Sequence, residues 1–282
     1  MQIFKEKALL TAYLKTIWDK NCAIGFVPTM GALHQGHLSL IKKSLAENDY
    51  NVVSIFVNPT QFNNSQDLEK YPRTLEIDIE KIRTICSDCI VFAPSVDDIY
   101  EGKTNSKSFN YDGIEHEMEG KHRPGHFDGV GTIVKKLFEI VKPTNAYFGE
   151  KDFQQLQIVK KLVAKNDLKV NIIGCPIFRE ANGLAMSSRN ERLSIKDRDE
   201  ASIIYNSLLT AKEKFGTKSA NEVSNWVKHS LEKNKNLTLE YFEIADETTL
   251  KTCIRKSKHK KYRAFIAVFI DNIRLIDNIS LN

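Results

Sequence analysis

The sequence lacks the two glycine patterns that most often identify a nucleotide-binding protein. It has neither a Gly-x-Gly-x-x-Gly fingerprint nor a complete Gly-x-x-x-x-Gly-Lys-Ser/Thr loop. This argues against a dinucleotide-binding protein or a P-loop ATPase. No apolar run approaches the roughly 18 residues of a membrane span, and the first seven residues mix both charge signs. We therefore expect a cytoplasmic protein with no membrane association.

Cysteine is also scarce, with five in 282 residues. An odd number of cysteines in mostly apolar segments favours reduced thiols over a disulfide framework. Cys86 and Cys89 form a Cys-x-x-Cys pair, but no second Cys or His pair follows at zinc-finger spacing, so we interpret it as incidental. The seven histidines lack a matched set of Cys or carboxylate ligands. We predict no metal site built from protein residues.

A formal net charge of +5 gives only a mild excess of positive charge. Part of that excess is local, because residues 251–263 contain eight Lys, Arg and His residues. Such a run is usually a solvated surface, although a nucleic-acid-binding patch is the competing interpretation. The run has no interleaved aromatic residues before Tyr262 and no known binding module. We favour the solvated surface and expect no nucleic acid partner.

Strand-like and helix-like patterns alternate through residues 1–175. Strands are predicted at 23–27, 51–57, 89–92, 145–148 and 170–175, and helices at 38–47, 74–85, 130–141 and 154–165. This alternation predicts an α/β fold with a Rossmann-like parallel sheet and helices on both faces. Residues 100–119 interrupt it and are predicted to be an excursion over the cleft.

The pattern changes after residue 192. Ser194 opens a helix that is predicted to continue through Leu208 and Ala211, and Ser219 with Glu222 has the spacing of a capping box for another helix. Strands at 237–242 and 264–270 follow, and Asp271-Asn272 predicts a hairpin to 273–276. We predict two domains, 1–175 and 176–282, the second a smaller α+β domain that closes over the active site.

The segment from Val27 to His37 is the most informative part of the chain. It leads from a buried strand through Gly31 into a helix, and it places His34 and His37 where that helix begins. Unpaired backbone N–H groups and the positive end of the helix dipole favour phosphate at such a position. Two histidines with Gly36 between them suggest a triphosphate site, whereas an ordinary turn with two exposed histidines is the plainer alternative.

Four other segments follow predicted strands or precede helices with polar residues. Each has a plainer alternative, such as an Asn-Pro turn, an exposed capping turn, a surface loop or a rigid connection. They are Asn58 to Gln61, with neutral amides for hydroxyls and a carboxylate; Gly149 to Gln155, with Lys151 for a phosphate; Gly183 to Arg189, with hydroxyls and a guanidinium; and the basic, glycine-rich Gly120 to Gly131.

Taken together, these segments resemble the pantothenate synthetase (pantoate–β-alanine ligase) family over nearly the whole chain. Six motifs stand in the family's order and spacing: PTMGALHxGH from Pro28, SIFVNPxQF from Ser54, YPRT from Tyr71, RPGHFDGV from Arg123, FGEKDxQQL from Phe148 and GLAMSSRN from Gly183. The His-x-Gly-His segment also resembles the adenylating motif of class I aminoacyl-tRNA synthetases and related nucleotidyltransferases. The C-terminal third resembles the family in layout more than in motif.

The resemblance implies a two-step ligation in a homodimer. Pantoate and ATP would form pantoyl adenylate and pyrophosphate, and the amine of β-alanine would then displace AMP to give pantothenate. Mg²⁺ is implied as the counter-ion of ATP, held mainly by phosphate oxygens, with Asp78 as a candidate protein contact. No covalent enzyme intermediate is required, which agrees with the absence of an obvious nucleophile pair.

The resemblance also implies roles for single residues. Catalysis would depend on His37 first, with His34, Lys151 and Arg189. Gln61 and Gln155 would bind pantoate, and Gln61 would also border the β-alanine site. The residues implied in ATP binding are Met30, Gly31, Ala32, Leu33, His34, Gln35, Gly36, His37, Gly149, Glu150, Lys151, Asp152, Phe178, Met186, Ser187, Ser188 and Arg189.

Two enzyme alternatives remain open from the residues alone. Another nucleotidyltransferase or a truncated tRNA synthetase would use a similar histidine motif and Met-Ser-Ser-Arg loop for adenylation. The chain leaves little room for a usual anticodon-binding domain. A non-enzymatic RNA-binding protein that uses residues 251–263 is the alternative from a different class.

Overall fold

The computed structural model describes residues 1–282, whose contacts divide them into two units. The N-terminal unit comprises Met1–Glu115, Glu119–Glu150 and Gln155–Pro176, and the C-terminal unit comprises His116–Met118, Lys151–Gln154 and Ile177–Asn282. The main division therefore falls between Pro176 and Ile177, and two short segments from earlier in the chain group with the C-terminal unit.

Helices and strands alternate along the first 175 residues. The strands are β1 (Gln2–Phe4), β2 (Ile24–Thr29), β3 (Tyr50–Ile55), β4 (Ile90–Phe92), β5 (Asn145–Gly149) and β6 (Asn171–Cys175). The helices are α1 (Lys7–Trp18), α2 (Gln35–Glu47), α3 (Ser65–Glu69), α4 (Leu75–Arg83), α5 (Val96–Tyr100), α6 (Met118–His122), α7 (His126–Val141) and α8 (Phe153–Lys165).

The six strands form one parallel sheet in the order β1-β4-β3-β2-β5-β6. Helices cover both of its faces. Successive residues of a strand point to opposite faces of the sheet, so two neighbouring residues of β2 show which helices lie on each face. On β2, Phe26 lies 6.1 Å from the Phe138 ring of α7, whereas Val27 belongs to a cluster with Ile41 of α2 and Ile82 of α4. The predicted Rossmann-like parallel sheet with helices on both faces is confirmed.

The strand order reverses beside β2, since β3 lies on one side of it and β5 on the other. In open α/β sheets, ligands bind outside the carboxyl ends of the strands at such a switch point. The segments that leave the sheet there begin at Met30 after β2 and at Glu150 after β5.

The C-terminal unit combines three helices with a small antiparallel sheet. Its elements are α9 (Ile195–Glu200), α10 (Ser202–Phe215), α11 (Ala220–Leu231), β7 (Leu237–Asp246), β8 (Tyr262–Ile270) and β9 (Ile273–Ser280), in the strand order β7-β8-β9. Ser219 and Glu222 form the predicted capping box, and Ile270 pairs with Ile273 in the predicted hairpin. The predicted smaller α+β region is therefore present.

Two predictions need correction, and two elements were missed. The single helix expected from Ser194 is broken at Ala201, whose carbonyl accepts the N–H of Ile204 in a tighter, three-residue step. The edge strand β1 and the helix α1 were not predicted. Cys86 and Cys89, which we expected to be reduced, are joined by a disulfide.

Both cysteines lie in the short connection between α4 and β4. Their Cα atoms are 5.6 Å apart, a separation that a disulfide spans. Cys22, Cys175 and Cys253 are free thiols. Burial raises the pKa of the Cys175 thiol to about 11, so it offers little thiolate for nucleophilic chemistry. None of the eleven helices is both long and apolar enough to cross a membrane.

Candidate active site

The loop that follows β2 has an unusual backbone. Gly31 and Ala32 both lie in the left-handed region, at φ +82° and +49°. Glycine adopts this conformation readily, but for alanine it is unfavourable and requires support from the surroundings. The Asp78 carboxylate on α4 supplies that support, because it accepts hydrogen bonds from the N–H groups of Ala32 at 2.9 Å and Leu33 at 2.7 Å.

Helix α4 holds this loop through a second residue as well. The Lys81 ammonium donates to the Leu33 carbonyl at 2.5 Å, and the Thr74 hydroxyl donates to Asp78 at 3.3 Å. The Asp78 side chain is completely buried, and each of its oxygens accepts a backbone N–H. The structure thus gives Asp78 a role in shaping the loop; the Mg²⁺ contact that the family resemblance suggested stays a prediction.

His34 and His37 lie side by side where α2 begins. His34 immediately precedes the helix with an extended backbone, and the two imidazole centroids are 4.0 Å apart. The His34 backbone N–H donates to Nδ1 of His37 at 3.3 Å. A backbone N–H only donates, so Nδ1 must be an acceptor and the neutral ring holds its proton on Nε2. His37 therefore offers an Nε2–H donor.

The start of α2 adds further donors. Gln35 and Gly36 belong to the first turn, where backbone N–H groups have no acceptor within the helix. Together with the dipole of this 13-residue helix, these groups favour an anion. The predicted nucleotide loop thus combines helix N–H groups with a ring N–H.

Gln61 lies against the same loop. It ends a 3₁₀ turn over Pro59–Gln61, is buried, and donates from Nε2 to the Met30 sulfur at 3.0 Å. Asn58 donates to its Oε1 at 2.9 Å. The structure thus brings a predicted pantoate-binding residue into contact with a predicted ATP-binding residue.

His126 was quoted above only as part of a motif, yet it fixes the Gln61 backbone. Its Nδ1 lies 2.8 Å from the Gln61 carbonyl, and Arg123 donates to the same oxygen at 3.4 Å. The sequence analysis described these residues only as part of a basic, glycine-rich segment, with a rigid connection as the plainer alternative. The Arg-Pro-Gly-His motif was the available signal, but it did not identify their partner.

The segment after β5 divides between the two units. Gly149, Glu150 and Gln155 group with the N-terminal unit; Gly149 is the last residue of β5, and Glu150 follows it at the switch point. Lys151 and Asp152 group with the C-terminal unit, where the Asn278 side chain donates to the Lys151 carbonyl at 2.8 Å. Asn278 on β9 was not predicted, because it lies 127 residues from its partner.

Within the C-terminal unit, residues 178–189 form a folded loop. The Met186 N–H donates to the Phe178 carbonyl at 2.9 Å, which brings two predicted ATP-binding residues together. The Phe178 side chain is 42% exposed. Ser187 precedes the 3₁₀ turn Ser188–Arg192, and its hydroxyl accepts the Arg189 N–H at 3.3 Å.

A polar cluster, formed by the buried Asn190 and the half-buried Glu180 and Arg198, secures this loop. Asn190 donates to Glu180 at 2.6 Å and to the Ala185 carbonyl at 3.1 Å, and Arg198 donates to both Glu180 oxygens. Burial would raise the pKa of the Glu180 carboxyl, but the bonds from Arg198 and Asn190 outweigh it and hold the pKa below its usual value. The loop that carries Met186 to Arg189 is thereby fixed through an ionised Glu180.

Comparison with known proteins supports the same interpretation over the whole chain. The family model for pantoate-beta-alanine ligase matches residues 2–280. The chain belongs to the pantoate–β-alanine ligase family. A pantothenate synthetase of Flavobacterium psychrophilum is 67% identical over 281 residues, and one of Christiangramia forsetii is 55% identical over 282 residues; both alignments cover all of each chain.

Solved structures of this ligase family have the same fold. Pantothenate synthetase from Thermus thermophilus aligns with a TM-score of 0.91 at 37% identity and covers 100% of this chain and 99% of its own. The Francisella tularensis pantoate-beta-alanine ligase, complexed with beta-gamma ATP and beta-alanine, aligns at 0.81 with 38% identity and covers 100% and 98%. The predicted family and enzyme class are confirmed.

Proposed function

We propose that this enzyme joins pantoate to β-alanine at the expense of ATP. In the first step, a carboxylate oxygen of pantoate attacks the α-phosphorus of ATP, and pyrophosphate leaves. In the second, the β-alanine nitrogen attacks the acyl carbon of pantoyl adenylate, AMP leaves, and the nitrogen loses its proton. The main support within the structure is the supported loop Met30–Leu33, which precedes His34 and His37 and contacts Gln61.

Residues of this chain would act through position and charge. His37 would donate its Nε2–H to an oxygen on which charge grows during attack at phosphorus, next to the N–H groups at the start of α2. His34, Lys151 and Arg189 would add donors or positive charge toward the polyphosphate. Gln61 and Gln155 would hold pantoate, with Gln61 beside β-alanine, so that the reacting groups are oriented.

The nucleotide would make its other contacts with three segments. These are residues 30–37, residues 149–152, and Phe178 with residues 186–189. Mg²⁺ would accompany ATP and neutralise its phosphates when bound. We expect oxygens of the nucleotide phosphates to be the main ligands of that ion.

The direct test is product analysis. Purified protein is incubated with MgATP and pantoate, with and without β-alanine, while AMP, pyrophosphate and pantothenate are measured. Formation of pantothenate and AMP that depends on β-alanine would support the proposal. Pyrophosphate release without any amide product would point to a nucleotidyltransferase with another acceptor, and the absence of ATP turnover would contradict the proposal. Sedimentation equilibrium would test the predicted homodimer.

We expect His37→Ala to lower kcat by about 10²- to 10³-fold, the usual loss when one transition-state donor is removed. His259→Ala is the matched control, because this histidine is exposed in the loop between β7 and β8. The control should retain wild-type turnover. Turnover of His37→Ala close to that of the control would refute the role given to this ring.

A further inference from the structure

The side-chain amide of Asn58 uses its full hydrogen-bonding capacity. Its Oδ1 accepts from the Tyr100 hydroxyl at 2.6 Å and from the Thr60 hydroxyl at 3.1 Å. Its Nδ2 donates to Gln61 Oε1 at 2.9 Å and to the Gly129 backbone carbonyl at 3.2 Å. Asn58 is 1% exposed, so water does not substitute for these partners.

These four bonds determine which way the amides point. The Gly129 carbonyl only accepts, so Asn58 must turn its Nδ2 toward it. The second hydrogen of Nδ2 then faces Gln61, which must present its oxygen in return. The amide group of Gln61 is planar, so its Nε2 is left on the opposite side, where the Met30 sulfur, a weak acceptor, lies at 3.0 Å.

We propose that Tyr100 is a positioning residue that, with the Gly129 carbonyl, orients Asn58 and so fixes Gln61 as a hydrogen-bond donor toward the substrate. This inference rests on the proposed function. It deepens that function by assigning the class of group that Gln61 recognises: an acceptor oxygen, such as a carboxylate or hydroxyl oxygen of the acid substrate. The β-alanine ammonium, which only donates, would be repelled by the Gln61 Nε2–H groups.

The surroundings leave this orientation little freedom. His126 and Arg123 already hold the Gln61 backbone carbonyl. Tyr100 ends α5, is 4% exposed, and has the Lys136 ammonium 5.5 Å from its ring centroid. Burial raises the pKa of the Tyr100 hydroxyl, so the group keeps its proton and remains a donor to Asn58.

The first test compares Tyr100→Phe with Tyr111→Phe. Tyr111 is a similarly buried tyrosine of the same unit whose hydroxyl donates to the Phe127 carbonyl at 3.1 Å and not to Asn58. Tyr111→Phe loses this one bond, whereas Tyr100→Phe loses the bond to Asn58 and also the 3.0 Å contact between the Tyr100 and Thr60 hydroxyls. We expect only Tyr100→Phe to raise the KM for pantoate, by about 3- to 10-fold, with the KM for ATP unchanged within about twofold. Melting temperatures should fall in both variants.

Equal KM values for pantoate in the two variants would overturn the inference, while pantothenate formation by the wild type would leave the proposed function standing. A wild type that forms no pantothenate would overturn both. If Tyr100→Phe does not fold, Thr60→Val removes the other donor to Asn58 Oδ1 and should shift the KM for pantoate in the same direction.

Gln61→Glu tests the donor assignment itself. The carboxylate has nearly the same shape but only accepts, so we expect the KM for pantoate to rise by about 10²-fold or more. A Gln61 that offered its oxygen to the β-alanine ammonium would behave in the opposite way. A lowered KM for β-alanine in Gln61→Glu would therefore overturn the assignment.

Discussion

Among single residues, Asp78 shows how a buried charge stabilises an unfavourable backbone. Its two oxygens accept the N–H groups of Ala32 and Leu33, which directly precede His34. We expect Asp78→Asn to lower kcat/KM for ATP by about 10-fold or more, because the new NH₂ group would face one of those N–H donors. An unsatisfied buried group of this kind costs about 1–3 kcal/mol.

The control for this prediction is Glu80→Gln on the same helix. Glu80 is exposed and pairs only with Arg83 one turn away, so its substitution should change neither kinetics nor melting temperature measurably. Steady-state kinetics with varied ATP and thermal unfolding would be measured for both variants. An unchanged kcat/KM for ATP in Asp78→Asn would contradict the role assigned to this carboxylate.

Contacts between residues that are close together in the sequence could be predicted more readily than contacts between residues that are far apart in it. The histidine motif and the Asn-Pro-x-Gln turn were identified because their members are neighbours in the chain. Asp78 lies 46 residues from Ala32, and Tyr100 lies 42 residues from Asn58. The local sequence pattern of α4 or α5 does not predict which amide, far away in the sequence, a buried carboxylate or hydroxyl will bind.

At the scale of elements, α7 approaches the Pro59–Gln61 turn through a glycine. A Cβ placed on Gly129 would lie 2.2 Å from the Thr60 carbonyl oxygen and 2.7 Å from the Gln61 Cα. Both are backbone atoms, so a Gly129→Ala variant must shift the helix or the turn. Glycine therefore allows the approach that brings the Gly129 carbonyl within reach of Asn58.

We expect Gly129→Ala to destabilise the fold by about 1–3 kcal/mol and to raise the KM for pantoate, since the shift would disturb Asn58 and Gln61 together. Gly216→Ala is the control. It adds the same methyl group at the end of α10, where the nearest heavy atom is the Glu213 carbonyl at 3.2 Å. Chemical unfolding and kinetics would be compared, and equal effects of the two substitutions would contradict the packing argument.

The central elements were predictable because burial produced strong patterns. Strands β2 and β5 and helices α2 and α8 lie within a few residues of their predicted positions, and all contribute buried apolar residues. Strand β1 has only three residues at the edge of the sheet, two of them exposed, so its pattern is weak. In α1 the buried residues Leu10, Leu14 and Ile17 do recur at helical spacing, which makes that helix an avoidable omission.

For the molecule as a whole, the excess positive charge is concentrated in the loop between β7 and β8, but its cations have different environments. Lys251, Arg255, Lys258 and Lys261 are exposed. Arg263, at the start of β8, is buried: it bonds to Glu247 at 2.9 Å and to Asn278 at 2.6 Å, and its guanidinium lies 4.0 Å from the Phe153 ring centroid. Composition alone does not distinguish the four exposed cations from the buried Arg263.

We therefore expect opposite results from two sets of substitutions in this run. Replacing Lys251, Arg255, Lys258 and Lys261 with Gln should leave pantothenate formation within about twofold and stability within about 1 kcal/mol, because exposed charges are strongly solvated. The single substitution Arg263→Met should lower the free energy of unfolding by about 1–3 kcal/mol, since it removes the buried guanidinium that bonds to Glu247 and Asn278.

Chemical unfolding, the ligation assay and titration with RNA at several salt concentrations would be carried out on both variants and the wild type. RNA binding by the wild type that weakens steeply with salt and is lost in the fourfold variant would show that the exposed loop contacts nucleic acid. That result would contradict our interpretation of residues 251–263 as a solvated surface.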